Sequence, residues 1–160
     1  MQTGWRYRLW GILGVLLLSM FAVYIANQPS LQSLFTTYVP ILSRLDPVVL
    51  SGRELYSALA LTAAALFSCH IPLFKPRPRR ALDTVTLAHR RVLVAGSLLA
   101  TLGFFEYSYR LPRTTLVMTV GILFAVIPAW FLLIRRSPNG GAERAVVVGD
   151  DPDSMTAVLD

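Results

Sequence analysis

The sequence predicts an all-α membrane protein: a four-transmembrane-helix bundle followed by the first strand-turn-helix of an incomplete Rossmann-like α/β domain. Three observations carry this reading. Of 160 residues, 54% are hydrophobic and only 15% charged, whereas soluble domains run near ~25% charged; mean hydropathy is +0.56. Four apolar stretches approach the roughly 20 residues that a membrane span needs. The last stretch, "RAVVVGDDPDSMTAVLD", has a different character: a short β-branched run, a glycine, an acidic turn and a helix start.

The first span covers about residues 9–26, "LWGILGVLLLSMFAVYIA", and stops at Asn27-Gln28-Pro29. It is too long for the apolar core of a cleaved signal, and "IANQPS" is a poor cleavage site. Residues 27–53 form a long connection divided by Pro29, Pro40 and Pro47. Within it "LQSLFTTYVPILSRL" has the mixed leucine and aromatic spacing of a short interfacial amphipathic helix. The second span covers about 55–74. The third, about 90–109, has a clean apolar core only from Val92 to Phe105 and draws its ends from flanking residues. The fourth covers about 114–134. The domain organisation is thus a membrane domain over 1–136, a polar linker over 137–144 and the start of an α/β unit over 145–160.

Net charge is +6, which on a soluble chain would suggest nucleic acid. Here the cations flank apolar spans and read as a topology signal, with no nucleic-acid partner expected. Arg6 and Arg8 precede the first span. Lys75, Arg77, Arg79, Arg80, Arg90 and Arg91 lie between the second and third, and Arg135, Arg136 and Arg144 follow the fourth. The opposite side holds only Arg44, Arg53, Arg110 and Arg113. Eleven cations against four place both termini and the "KPRPRR" segment in the cytoplasm of a multi-pass cell-membrane protein. Trp5, Tyr7, Trp10 and Trp130 suit an aromatic belt at that face.

Candidate chemistry is sparse. The basic set Lys75, Arg77, Arg79, Arg80, Arg90 and Arg91 suits head-group or lipid-phosphate contact, at about 1 kcal/mol per residue near an anionic surface. Its plainer reading is a topology determinant stiffened by Pro76 and Pro78. Cys69 and His70 are adjacent, but a metal site wants further ligands, so a packed or interfacial histidine is expected. Glu106 and Arg110 have the spacing of a helical ion pair near the outer interface. No carboxylate lies in the middle of a span, which disfavours an ion-coupled transporter. Thr119-Val120-Gly121 lies inside a full-length span rather than in a re-entrant filter loop. Gly11, Gly14, residues 63–65 and 95–97 supply small surfaces for close helix packing and leave a homo-oligomer open. In "VVVGDDPDSM" one glycine stands where a dinucleotide fingerprint has three, and aspartates at the helix start would repel a pyrophosphate.

Four spans with both termini inside, the linker "RRSPNGGAERA" and then "VVVGDDPDSM" form an order that resembles the N-terminal membrane region of polyprenyl-phosphate sugar phosphotransferases. "YRLPR" at 109–113 and "PLFKPRPRR" at 72–80 resemble the haloarchaeal version of that family. The resemblance implies a Rossmann-like domain after the four helices and a later catalytic domain. That domain, with Mg as cofactor, would move a sugar-1-phosphate from a nucleotide sugar to polyprenyl phosphate in exopolysaccharide or glycan synthesis. No catalytic, cofactor-binding or metal residue of the family matches a position here, so the 160-residue chain is expected to act as a non-catalytic anchor, the front of a longer protein. The partners implied are membrane lipids and polyprenyl phosphate. Two other classes remain open: a small noncatalytic membrane protein, and the membrane part of a transporter or channel with a cytosolic nucleotide-sensing domain.

Overall fold

A computed structural model describes residues 3–39, 48–75, 80–105 and 111–136. All regular structure among them is helical: α1 (Thr3–Ala26), α2 (Pro29–Tyr38), α3 (Gly52–His70) with a 3-10 turn at Ile71–Leu73, α4 (Ala81–Phe105) and α5 (Arg113–Arg136). Four of these, α1, α3, α4 and α5, are long and apolar enough to cross a membrane. The strand-turn-helix expected at 145–160 and the linker at 137–144 lie outside the described residues, as do Arg77, Arg79, Glu106 and Arg110; no strand occurs among the described ones.

Local chemistry sets where the helices break. Pro29 disfavours helical geometry at the residue before it, and Gln28 is extended at φ −74°, ψ 126°. The same proline then opens α2, where its missing N–H costs nothing. Ser51 is extended and Gly52 takes φ +54° at the first position of α3, a backbone state that side-chain-bearing residues rarely adopt. Pro72 tightens the end of α3 into the 3-10 turn, closed by the Phe74 N–H on the Ile71 carbonyl. Asp83 sits in the first turn of α4, where the helix dipole favours an anion.

The helix that carries the third span begins at Ala81, before the expected bound of 90, so Arg90 and Arg91 stand well inside a helix; the expected end at 106–109 lies outside the described residues. The reason is packing. Thr84, Ala88, Val92, Ala95 and Leu99 recur every three or four residues and are all buried, so the inward stripe runs straight through the charged segment. α1 likewise extends outward to Thr3, carrying Trp5, Arg6 and Arg8 on its first turns.

The spans close a ring in which α1 packs on α3 and α5, and α4 packs on α3 and α5. Contacts between opposite ends make neighbours antiparallel. Tyr7 near the start of α1 meets Leu73 after α3, and Arg135 near the end of α5 meets Thr84 near the start of α4. Val15, Leu66, Val92, Leu123, Ile127 and Phe131 fill one half of the interior; Val23, Leu50, Ala58, Leu99 and Leu111 fill the other. The outward faces are apolar too: Trp10, Leu13, Leu17, Phe21 and Tyr24 follow helical spacing along α1 and are exposed. A helix apolar on all sides belongs where lipid is the solvent.

Candidate functional site: a basic bundle end held by side-chain to backbone contacts

The antiparallel ring gathers the start of α1, the connection between α3 and α4, and the end of α5 at one end of the bundle. Arg6, Arg8, Lys75, Arg80 and Arg90 are exposed there, and Arg91 and Arg135 are half-buried. Of the six sequence candidates, Lys75 and Arg80 flank the undescribed residues 76–79, and Arg90 and Arg91 stand about 14 Å up α4 from Ala81 at ~1.5 Å per residue. α4 has 25 residues, roughly 38 Å by the same rise, longer than a hydrocarbon core of about 30 Å. The excess is about two turns, and Asp83, Arg90 and Arg91 make the first turns the ones suited to the head-group region, which long arginine stems reach by snorkelling. Asp83 shares this end and is exposed. The Arg135 guanidinium donates to the Thr84 hydroxyl.

Three helix pairs are held by a side chain donating to a main-chain carbonyl, and each carbonyl is available for a local reason. Pro128 lies inside α5 and has no N–H, so the carbonyl of Phe124, four residues earlier, loses its helical partner. His89 Nε2 of α4 donates to that oxygen at 2.9 Å, and its ring stacks on Phe124 with centroids 3.9 Å apart. Because a carbonyl only accepts, the proton sits on Nε2. On α1, Gly14 leaves the Trp10 carbonyl uncovered, and Trp130 Nε1 donates to it at 3.2 Å. A Cβ on Gly14 would fall 1.9 Å from that nitrogen. Trp130, expected as an aromatic-belt residue, is half-buried and bridges α5 to α1. After α3, the Leu73 carbonyl follows the last helical turn and accepts from the Tyr7 hydroxyl at 3.3 Å.

The opposite end is sewn by neutral polar groups. Buried Asn27 pairs with the main chain of Leu50 in both directions: Nδ2 donates to its carbonyl at 2.8 Å, and Oδ1 accepts from its N–H at 2.7 Å. Gln32 of α2 is fully buried, and its Nε2 faces the Ala26 carbonyl (2.9 Å), the Val48 carbonyl (3.2 Å) and the Thr115 hydroxyl (3.1 Å). Ala26 is the last residue of α1, so Gln32 caps a helix end that has no following turn.

His70 behaves as a packed core histidine, as expected. It is fully buried, its Nδ1 donates to the Leu66 carbonyl at 2.8 Å, and its ring lies parallel to Phe131 with centroids 6.4 Å apart. Cys69 is a partly exposed free thiol. No cluster of three or more His, Cys, Asp or Glu suited to a metal occurs among the described residues. Sequence reasoning missed the bridging roles of His89 and Trp130 and those of Asn27, Gln32 and Thr84. Pro128 inside a span was the readable signal for His89, since it marks an orphan carbonyl one turn upstream; Thr84 and Thr115 carried none.

His89 and Pro128 are thus expected to be coupled. His89→Ala should lower bundle stability by about 1 kcal/mol, in the range of polar contacts between membrane helices. In a Pro128→Ala background, where the helix supplies its own donor, most of that cost should vanish. A double-mutant cycle by denaturant unfolding in micelles measures the difference; equal costs in both backgrounds would refute the coupling.

No family model, curated protein or solved structure matches this chain.

Proposed function

We propose that residues 1–136 are a membrane anchor that holds its basic end at the cytoplasmic face, together with the sequence that follows α5. The observation that supports this reading is the convergence of Arg6, Arg8, Lys75, Arg80, Arg90, Arg91 and Arg135 on the bundle end where α1 begins and α5 finishes. The other end presents Arg53, Glu54 and Arg113 among the described residues. A cationic face of this density favours the cytoplasmic leaflet by the positive-inside bias and attracts anionic lipid phosphates.

On this reading the anchor serves a sugar-1-phosphate transferase, as the segment order of the sequence suggests. It would place a catalytic domain where a polyprenyl phosphate in the membrane and a nucleotide sugar in the cytoplasm meet. The basic residues attract the lipid phosphate and bring no chemistry of their own. Phosphoryl transfer wants a nucleophile or its activator and, in most such enzymes, a metal held by carboxylates. The described carboxylates are Glu54 and Asp83, which stand on the first turns of different spans that point in opposite directions.

Two measurements test the proposal. In a Cys69→Ala background, a membrane-impermeant thiol reagent applied to intact cells should label Thr37→Cys and spare Lys75→Cys; the reverse pattern refutes the orientation. Purified 1–160 should turn over no nucleotide sugar with polyprenyl phosphate, with or without magnesium, whereas a longer reading frame through Asp160 that encodes a transferase domain should. Turnover by 1–160 alone would overturn the anchor reading.

A further inference from the structure

Helix α2 is not a fifth strut of the bundle. Gln28 turns the chain away from α1, and Gln32 alone points inward as a fully buried side chain. The remaining faces separate by chemistry. Leu31, Leu34, Phe35 and Tyr38 occupy i, i+3, i+4 and i+7, and all four are exposed. Such spacing places them on a single stripe. Ser33 and Thr37 lie away from this stripe, also exposed, with their hydroxyls donating to the Ser30 and Ser33 carbonyls, and exposed Ser30 borders it. The ten residues of α2 contain no Lys, Arg, Asp, Glu or His.

We propose that α2 is an interfacial helix that inserts the Leu31–Leu34–Phe35–Tyr38 stripe into the head-group and acyl boundary of the leaflet opposite the basic end. The occupant of this surface is phospholipid, whatever its head-group charge. Three features select lipid over a protein partner. The stripe follows directly in the chain on an exposed apolar helix face, since exposed Phe21 and Tyr24 lie on the last turns of α1 just before α2. Its hydroxyl side matches the water side of an interface. Its neutrality leaves nothing for an anionic head group to recognise, so insertion rests on apolar area alone. Gln32 gives the contact a consequence: through Ala26, Val48 and Thr115 it ties the inserted helix to α1, to the residues before α3 and to α5. A shift of α2 in the bilayer is therefore passed directly to the ends of α1 and α5 on that side.

Site-directed spin labelling in a Cys69→Ala background tests this inference, in vesicles of phosphatidylcholine alone and of phosphatidylcholine mixed with phosphatidylglycerol. Labels at Leu34→Cys and Tyr38→Cys should collide more with oxygen than with a water-soluble nickel chelate. Labels at Ser33→Cys and Thr37→Cys should show the reverse. The pattern should be the same in both vesicles. Four labels that all meet the nickel chelate would show a helix standing off the bilayer. Labels at 34 and 38 shielded from both reagents would show a second copy or another protein covering the stripe, and insertion only with phosphatidylglycerol would show recognition of charge. Each of these three outcomes overturns the proposal. None of them depends on the sugar-transferase reading, so the two can fail separately.

Discussion

Gly14→Leu is expected to break the seam between α1 and α5. A Cβ at position 14 alone would sit 1.9 Å from Trp130 Nε1, 2.2 Å from Cε2 and 2.7 Å from Cδ1, so the whole indole has to leave. Its departure also strips the Trp10 carbonyl of its cross-helix donor. Overpacking of a tight site costs about 1–3 kcal/mol, and the lost hydrogen bond adds about 1 kcal/mol in a membrane-like medium. A total near 3 kcal/mol is expected, read as a lower unfolding midpoint in mixed micelles. The control is the pair Gly14→Leu with Trp130→Ala. Removing the indole opens the space that leucine needs, so the double variant should be more stable than Gly14→Leu alone. A single variant as stable as the parent, or a double variant no better than the single, would show that the two residues do not share this contact.

Asn27→Leu should cost about 2–4 kcal/mol. The substitution nearly preserves shape but removes both partners of Leu50, leaving a buried N–H and a buried carbonyl with nothing to bond. Each stranded group carries a penalty of about 1–3 kcal/mol. The loss should be local to that end of the bundle. Amide exchange at Leu50 should accelerate sharply, while the indole signal of Trp130, near the other end, should hold its shift. Uniform loosening of both ends would contradict a local role. Unchanged exchange at Leu50 would mean that Asn27 is not its partner in the membrane.

Much of the architecture was legible because it depends on short-range chemistry. Pro29 announced the end of α1. Apolar length announced the four spans, and cation placement announced which ends belong together. The start of α4 was not legible because a search for apolar length discounts a segment containing Asp83, His89, Arg90 and Arg91. The continuous inward stripe Thr84–Ala88–Val92–Ala95 carried the helix through that segment. Small residues at helical spacing were the better guide there, because in lipid a helix is kept by its internal hydrogen bonds and by close packing against neighbours rather than by hydropathy along its length.

The bridging residues were less legible, for a different reason. Trp130 near a span end reads as an interfacial aromatic, and His89 reads as one more polar residue in a basic segment. Each acquires its role only from a backbone defect on another helix: the open carbonyl beside Gly14, and the orphan carbonyl that Pro128 creates. The defect can be seen in the sequence, but the donor that repairs it cannot, since it comes from 35 residues away for His89 and 120 for Trp130. The sequence by itself determined the membrane class, the number of spans and the break at Pro29, because burial in lipid and proline geometry act residue by residue. Only the tertiary structure decided which helices adjoin, which side chains repair which carbonyls and that α4 begins at Ala81, because a hydrogen bond shielded from water takes whichever donor the packing brings within reach.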